Sequence, residues 1–115
     1  MIHIYGIKNC STVKKALNWF DERKFSYEFH DFKKVGVTEE KLNSWAKQVG
    51  WESLVNKKGT TWKKVDPATQ QSIVDASAAF SLLMEHTSMI KRPVIEQGET
   101  VLLGFDENRY EELFH

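Results

Sequence analysis

"GIKNCSTVKKAL", residues 6–17, places the only cysteine of the chain, Cys10, directly before a run of helical periodicity. From Ser11 to about Arg23 the apolar residues are Val13, Ala16, Leu17, Trp19 and Phe20. That i, i+3, i+4, i+7 spacing predicts a helix with one buried face. Upstream, "IHIY" (residues 2–5) is β-branched and aromatic, as a short strand requires, and Gly6 follows as a turn residue. Downstream, "FSYEFHDF" (residues 25–32) alternates Phe25, Tyr27 and Phe29 with Ser26, Glu28 and His30. That period of two predicts a strand with one apolar face. The opening is therefore β-α-β, with its two strands parallel.

The middle of the chain is helical. Thr38 caps "TEEKLNSWAKQVG", whose stripe is Leu42, Trp45, Ala46 and Val49, and Gly50 stops it. "WESLVN" (51–56) adds a turn of helix, and "KKGTTWKK" (57–64) has no apolar period and is expected to be a loop. Asp66 and Pro67 are a strong start signal for a helix over 66–78, followed by a helical "AAFSLLMEHTS" (78–88). After "IKRP", the strands "VIEQ" and "TVLLGF" meet at Gly98-Glu99 as a hairpin, and Asp106 caps a last helix over "DENRYEELF". The expectation is one α/β domain over residues 1–115. It has a four-strand mixed sheet interrupted by a helical insertion at about 38–87.

A chain of 115 residues can bury a core without disulfide or metal staples. Lysine plus arginine equals aspartate plus glutamate, 16 of each, which argues against bulk charge-driven binding to nucleic acid or an anionic membrane. The basic "KKGTTWKK" is accordingly read as a solvated loop by the cleft and not as a nucleic-acid patch. No apolar run is long enough to span a bilayer, and "MIHIYG" has no secretory-signal pattern. A lone cysteine forms no internal disulfide, so a reducing, cytoplasmic setting is expected. His3, His30, His86 and His115 show no ligand spacing among themselves or with Cys10, and no metal is assigned.

Cys10 is where chemistry is expected. At a helix start, amide N–H groups lack intrahelical partners and the dipole is positive, so a thiolate is favoured and the thiol becomes nucleophilic. Lys8, Lys14 and Lys15 add positive charge nearby. The residue three positions on is Val13, so "CSTV" cannot resolve its own mixed disulfide as a C-x-x-C pair does. A redox cycle must borrow a second thiol, most simply from glutathione.

Three segments, "YGIKNCSTVKKA" (5–16), "NKKGTTWKK" (56–64) and "KRPVIE" (91–96), together resemble the ArsC/Spx family of thioredoxin-like proteins, nearest to its YffB branch. The resemblance implies a thioredoxin-like fold of glutaredoxin topology with Cys10 as nucleophile and Pro93 as a cis-proline beside it. It implies that Arg92 matches an arginine that helps arsenate reductases bind their oxyanion. A substrate or glutathione site of Asn9, Ser11, Thr12, Lys58, Arg92 and Pro93 follows, with Arg92, Lys58 and the amides of Ser11 and Thr12 expected to converge on Cys10. Arsenate reductases carry two further arginines where this chain has Asn56 and Leu103 or Gly104. The branch pattern N-x-basic-G-T-T-W is met by Asn56, Lys58, Gly59, Thr60, Thr61 and Trp62.

The implied activity is a glutathione-dependent thiol/disulfide reductase or ArsC-like oxidoreductase. It would act on a thiol or oxyanion substrate, with glutathione as cosubstrate and no bound cofactor. The alternative is an Spx-like regulator that binds a protein partner such as RNA polymerase. Spx proteins use a cysteine pair as a redox switch, and Val13 removes that pair here.

Overall fold

The computed structural model describes all 115 residues. In chain order the elements are β1 (Ile2–Gly6), α1 (Ser11–Glu22), β2 (Tyr27–Asp31), α2 (Phe32–Val35), α3 (Glu39–Val49), α4 (Trp51–Leu54), α5 (Thr60–Lys63), α6 (Pro67–Ser72) and α7 (Ala76–Glu85), then a 3₁₀ turn (Thr87–Met89), β3 (Val94–Gln97), β4 (Thr100–Leu103) and α8 (Glu107–Leu113). The four strands form one mixed sheet in the order β2-β1-β3-β4. β1 and β2 are parallel, while β3 runs antiparallel to both β1 and β4. This is the expected thioredoxin-like arrangement, and the hairpin turns at Gly98, whose φ of 60° suits a residue without a Cβ.

Side chains alternate across the sheet, so each face has its own core. Ile2, Ile4 and Ile95 join Ala16, Trp19 and Phe20 of α1 and Tyr110 and Phe114 at the C-terminal end on one side. Val94 joins Leu42, Trp45, Leu54, Phe80 and Leu83 of the helical insertion, with Phe32, Met89 and Ile90 beside them, on the other.

The expected caps are in place. Thr38 Oγ1 accepts from the Lys41 amide at 3.1 Å, Asp66 from Thr69 at 3.1 Å and Asp106 from Arg109 at 3.2 Å. Three local readings need correction. The strand expected over 25–32 ends at Asp31, whose carboxylate caps α2 through the Lys33 amide at 2.9 Å. The helix expected from Asp66 through 78 breaks after Ser72, because Asp75 accepts from the Ala78 amide at 2.9 Å and starts α7 afresh. The expected loop 57–64 contains the one-turn α5, which lays Trp62 partly buried against the insertion core.

Candidate active site

Gly6 ends β1 against the first turn of α1. A Cβ there would stand 2.8 Å from Val13 Cγ2, closer than carbon atoms approach, so only glycine permits this junction. The chain then turns through Lys8 and Asn9, and the Cys10 amide donates to the Ile7 carbonyl at 3.2 Å. Cys10 is the N-cap of α1 with extended backbone, and its own carbonyl accepts from the Lys14 amide at 3.0 Å. The expected helix-start position of the thiol is therefore the observed one.

The thiol is partly buried. Burial alone pushes its pKa up, but the Val13 amide, the Arg92 guanidinium and the Thr12 amide together outweigh burial and hold it below the ordinary cysteine value. Sγ makes no cap hydrogen bond of standard geometry, so these amides act as nearby dipoles aimed at a soft anion. The amides involved are those of Thr12 and Val13. Ser11, named with Thr12 in the sequence, is exposed as the first residue of α1.

Arg92 is fixed from behind. Its Nη1 donates to the carbonyl of Ser88 and, at 3.3 Å, to that of Ile90, while its buried Nε has no protein partner. The following peptide, Arg92–Pro93, is cis, and the buried Pro93 accepts from the Gly104 amide at 2.9 Å. Cys10 and Arg92 both line two clefts. One, of about 470 Å³, includes Thr12, Asn56, Lys91, Leu103 and Gly104. The other, of about 690 Å³, includes Lys8, Asn9, Asp31, Lys33 and Ser88.

Lys58 borders neither cleft. The Asn56 amide is tied to the Met89 carbonyl at 2.7 Å, which holds Asn56 inward, and the turn that follows carries Lys58 into solvent. The cation that takes its place is Lys91, which motif matching passed over as the residue before an arginine. The Lys91 amide donates to the Leu54 carbonyl at 2.8 Å, and its Cε lies 3.8 Å from where a Cβ on Gly104 would be. Asn56 and Leu103–Gly104, where arsenate reductases were expected to carry arginines, line this same cleft.

A thioredoxin-like sheet with one helix-start thiol, a cis-proline and an arginine beside it defines a class of single-cysteine thiol proteins. Residues 5–113 match the ArsC family, and the chain belongs to it. It is 42% identical over 114 residues to a Haemophilus influenzae protein, covering 99% of both chains. At 20% identity over 109 residues, 93% of this chain aligns with 82% of the global transcriptional regulator Spx 2 of Bacillus cereus. Among solved structures, a YFFB protein superposes with a TM-score of 0.94 at 42% identity over the whole of both chains. An arsenate reductase (ArsC) related protein from Brucella melitensis superposes at 0.77, also at 42% identity, over 98% of this chain and 93% of that one.

Proposed function

We propose that the protein is a glutathione-dependent thiol oxidoreductase in which Cys10 is the nucleophile. The observation that carries this reading is the position of the Cys10 thiol at the start of α1, where it lines two clefts together with Arg92. Cys10 Sγ attacks the glutathione sulfur of a mixed disulfide. The new S–S bond joins Cys10 to glutathione, and the other sulfur leaves as a thiolate that takes up a proton. A second glutathione, as thiolate, then attacks the bound glutathione sulfur, releasing glutathione disulfide and the Cys10 thiolate. The two flanking clefts suit this sequence, since one can hold glutathione while the other admits its exchange partner.

Arg92, with Nη1 held by backbone carbonyls, offers its remaining donors to a carboxylate or to charge developing on sulfur. Asn56, Leu103 and Gly104 supply no cation to the cleft, and Lys91 is a point charge in place of a planar fork. Tight arsenate binding is therefore not the expected property of this site.

Mass spectrometry after incubation with glutathione disulfide should show one glutathione adduct, absent in Cys10→Ser. Arg92→Ala should weaken glutathione binding by about 1.5–3 kcal/mol, the loss of a charge-assisted hydrogen bond. Titration calorimetry with unchanged affinity would return Arg92 to a structural role. The alkylation rate of Cys10 should rise with pH about a midpoint below the free-cysteine value of about 8.5. The sign for stability follows. A folded-state thiol pKa below the unfolded one stabilises the fold above the unfolded pKa, and that contribution is lost as pH falls through the folded pKa.

The relationship to Spx regulators supports the second reading, an adaptor that binds a protein partner such as RNA polymerase. An alkylation midpoint at or above that of free cysteine, together with no glutathione adduct, would put it first.

A further inference from the structure

No two histidines stand at ligand spacing along the chain, but the parallel pairing of β1 with β2 brings two of them together. His3 and Glu28 are register partners, and His30 lies two residues beyond Glu28, so all three side chains leave the same face of the sheet. His3 Nδ1 is 3.0 Å from His30 Nε2 and 3.3 Å from Glu28 Oε2. One ligating atom from each of the three lies within 4.8 Å of the others. Tyr5 stacks on the His30 ring, with centroids 4.4 Å apart and planes 13° from parallel, which fixes that ring in its orientation.

A proton serves this arrangement poorly. One N–H between His3 Nδ1 and His30 Nε2 joins those two nitrogens only, and the exposed Glu28 carboxylate then turns to water. A divalent ion takes a lone pair from all three at once. With metal–ligand distances of about 2.0–2.2 Å, adjacent ligands of a tetrahedral ion stand roughly 3.3 Å apart. The two short separations are close to that edge length. Two imidazole nitrogens and one carboxylate oxygen, with a fourth position left for water, are a donor set that suits zinc and its neighbours in the first transition row. The surrounding charge permits a cation. Glu96 lies in register with His3 on its other side, and Lys41 is already paired with Glu96 at 3.3 Å.

We propose that His3, Glu28 and His30 bind a divalent transition-metal ion of the zinc class in an open, three-ligand site. The site sits near the start of β1, whereas Cys10 follows the end of that strand. From His3 to Gly6 the strand alone spans roughly 10 Å, so the ion is separate from the thiol. Its effect is to clip the edge strand β2, which pairs only with β1, to the rest of the sheet.

The test uses the full chain carrying Cys10→Ser, so that a thiolate contributes no ligand. Cobalt(II) titration followed by its visible absorption should saturate at one equivalent, and zinc should displace it. His3→Ala and His30→Ala should each weaken binding at least roughly 100-fold, the upper end of what loss of an outer-shell partner costs. Glu28→Gln, at an exposed position where folding is not at stake, should weaken it roughly 10-fold or more. His86→Ala should change nothing. Proton NMR of the same Cys10→Ser chain gives a second readout that needs no further substitution, with the imidazole signals of His3 and His30 shifting on zinc addition. Absence of saturable binding below millimolar metal would overturn the proposal. So would zinc-induced shifts confined to His86 or His115, or affinity unchanged in the His3→Ala, His30→Ala double variant.

Discussion

On the side of the sheet that carries α1 and α8, Trp19 meets Tyr110 edge-on at 5.3 Å and stacks over Phe25 at 6.0 Å, while Phe20 meets Phe114 edge-on at 5.1 Å. On the other side, Tyr5, Phe32 and Trp45 also form an aromatic group, but it closes around a carboxylate. Glu96 accepts from Trp45 Nε1 at 2.9 Å, from Lys41 Nζ at 3.3 Å and from Tyr5 Oη at 3.4 Å. The difference matches what each side has to hold. α1 is a continuous helix of 12 residues, and a broad apolar stripe docks it. α4 and α5 have four residues each, too short to be stable alone, and directional bonds from Lys41 and Trp45 tie the insertion that contains them to β3. The aromatic-packed side positions Cys10, and the polar-bridged side supplies Asn56 and Lys91 to the cleft beside it.

The strongest break of this comparison is Phe20→Ala, at a position with no exposed surface. It removes an aromatic from the α1 side and should cost about 3–5 kcal/mol in denaturant unfolding. A loss under about 1 kcal/mol would mean that the aromatic packing is not what holds α1.

Glu96→Gln tests the polar side and should cost about 1–2 kcal/mol, because charge-assisted bonds to Lys41 and Trp45 are weakened while the volume is kept. Burial raises the Glu96 pKa, but the hydrogen bonds from Trp45 and Lys41 outweigh burial and leave it below the usual glutamate value. A depressed folded pKa contributes stability above the unfolded value of about 4.3, and this is lost as pH falls through the folded pKa. Stability of the parent chain should therefore drop more steeply below about pH 4.3 than that of Glu96→Gln. Parallel acid profiles would show that the carboxylate is not charged in the network.

The same contrast explains what was legible in the sequence. Val13, Ala16, Trp19 and Phe20 announce α1 because a single buried face imposes a local period, and all four are buried. Thr38, Asp66 and Asp106 announce helix starts because a cap and its amide lie three residues apart. Cys10 and Arg92, which line both clefts, and Thr12 and Asn9, which line one each, are legible from motifs that local geometry preserves. Lys58 lies exposed outside both clefts, and the turn after Asn56 that puts it there, next to the contact with Met89, has no local signature. Lys91 enters the cleft through its bond to Leu54, and His3 meets His30 through a strand register 27 residues apart in sequence. Neither relation leaves a period or a spacing in the chain.

The smallest expected effect is the sharpest test of how the insertion is built. Asp75 stands inside the stretch 66–78 that the Asp66-Pro67 start signal predicts as one helix, yet its carboxylate accepts from the Ala78 amide at 2.9 Å and α7 begins at Ala76. Between the helices, Ile73 has ψ of 81° and the Val74 amide donates to the Ser72 carbonyl at 3.0 Å, so the break is a turn with its own bond. Asp75→Ala leaves an amide of the first turn of α7 to water and should cost about 1 kcal/mol, whereas Asp75→Asn keeps an oxygen acceptor and should cost less. Amide hydrogen exchange should speed up from Asp75 to Ala79 and stay unchanged in α1, because the two lie on opposite sides of the sheet. Faster exchange spreading into α1 would mean that both sides open as one cooperative unit, and the contrast between them would then hold for packing but not for stability.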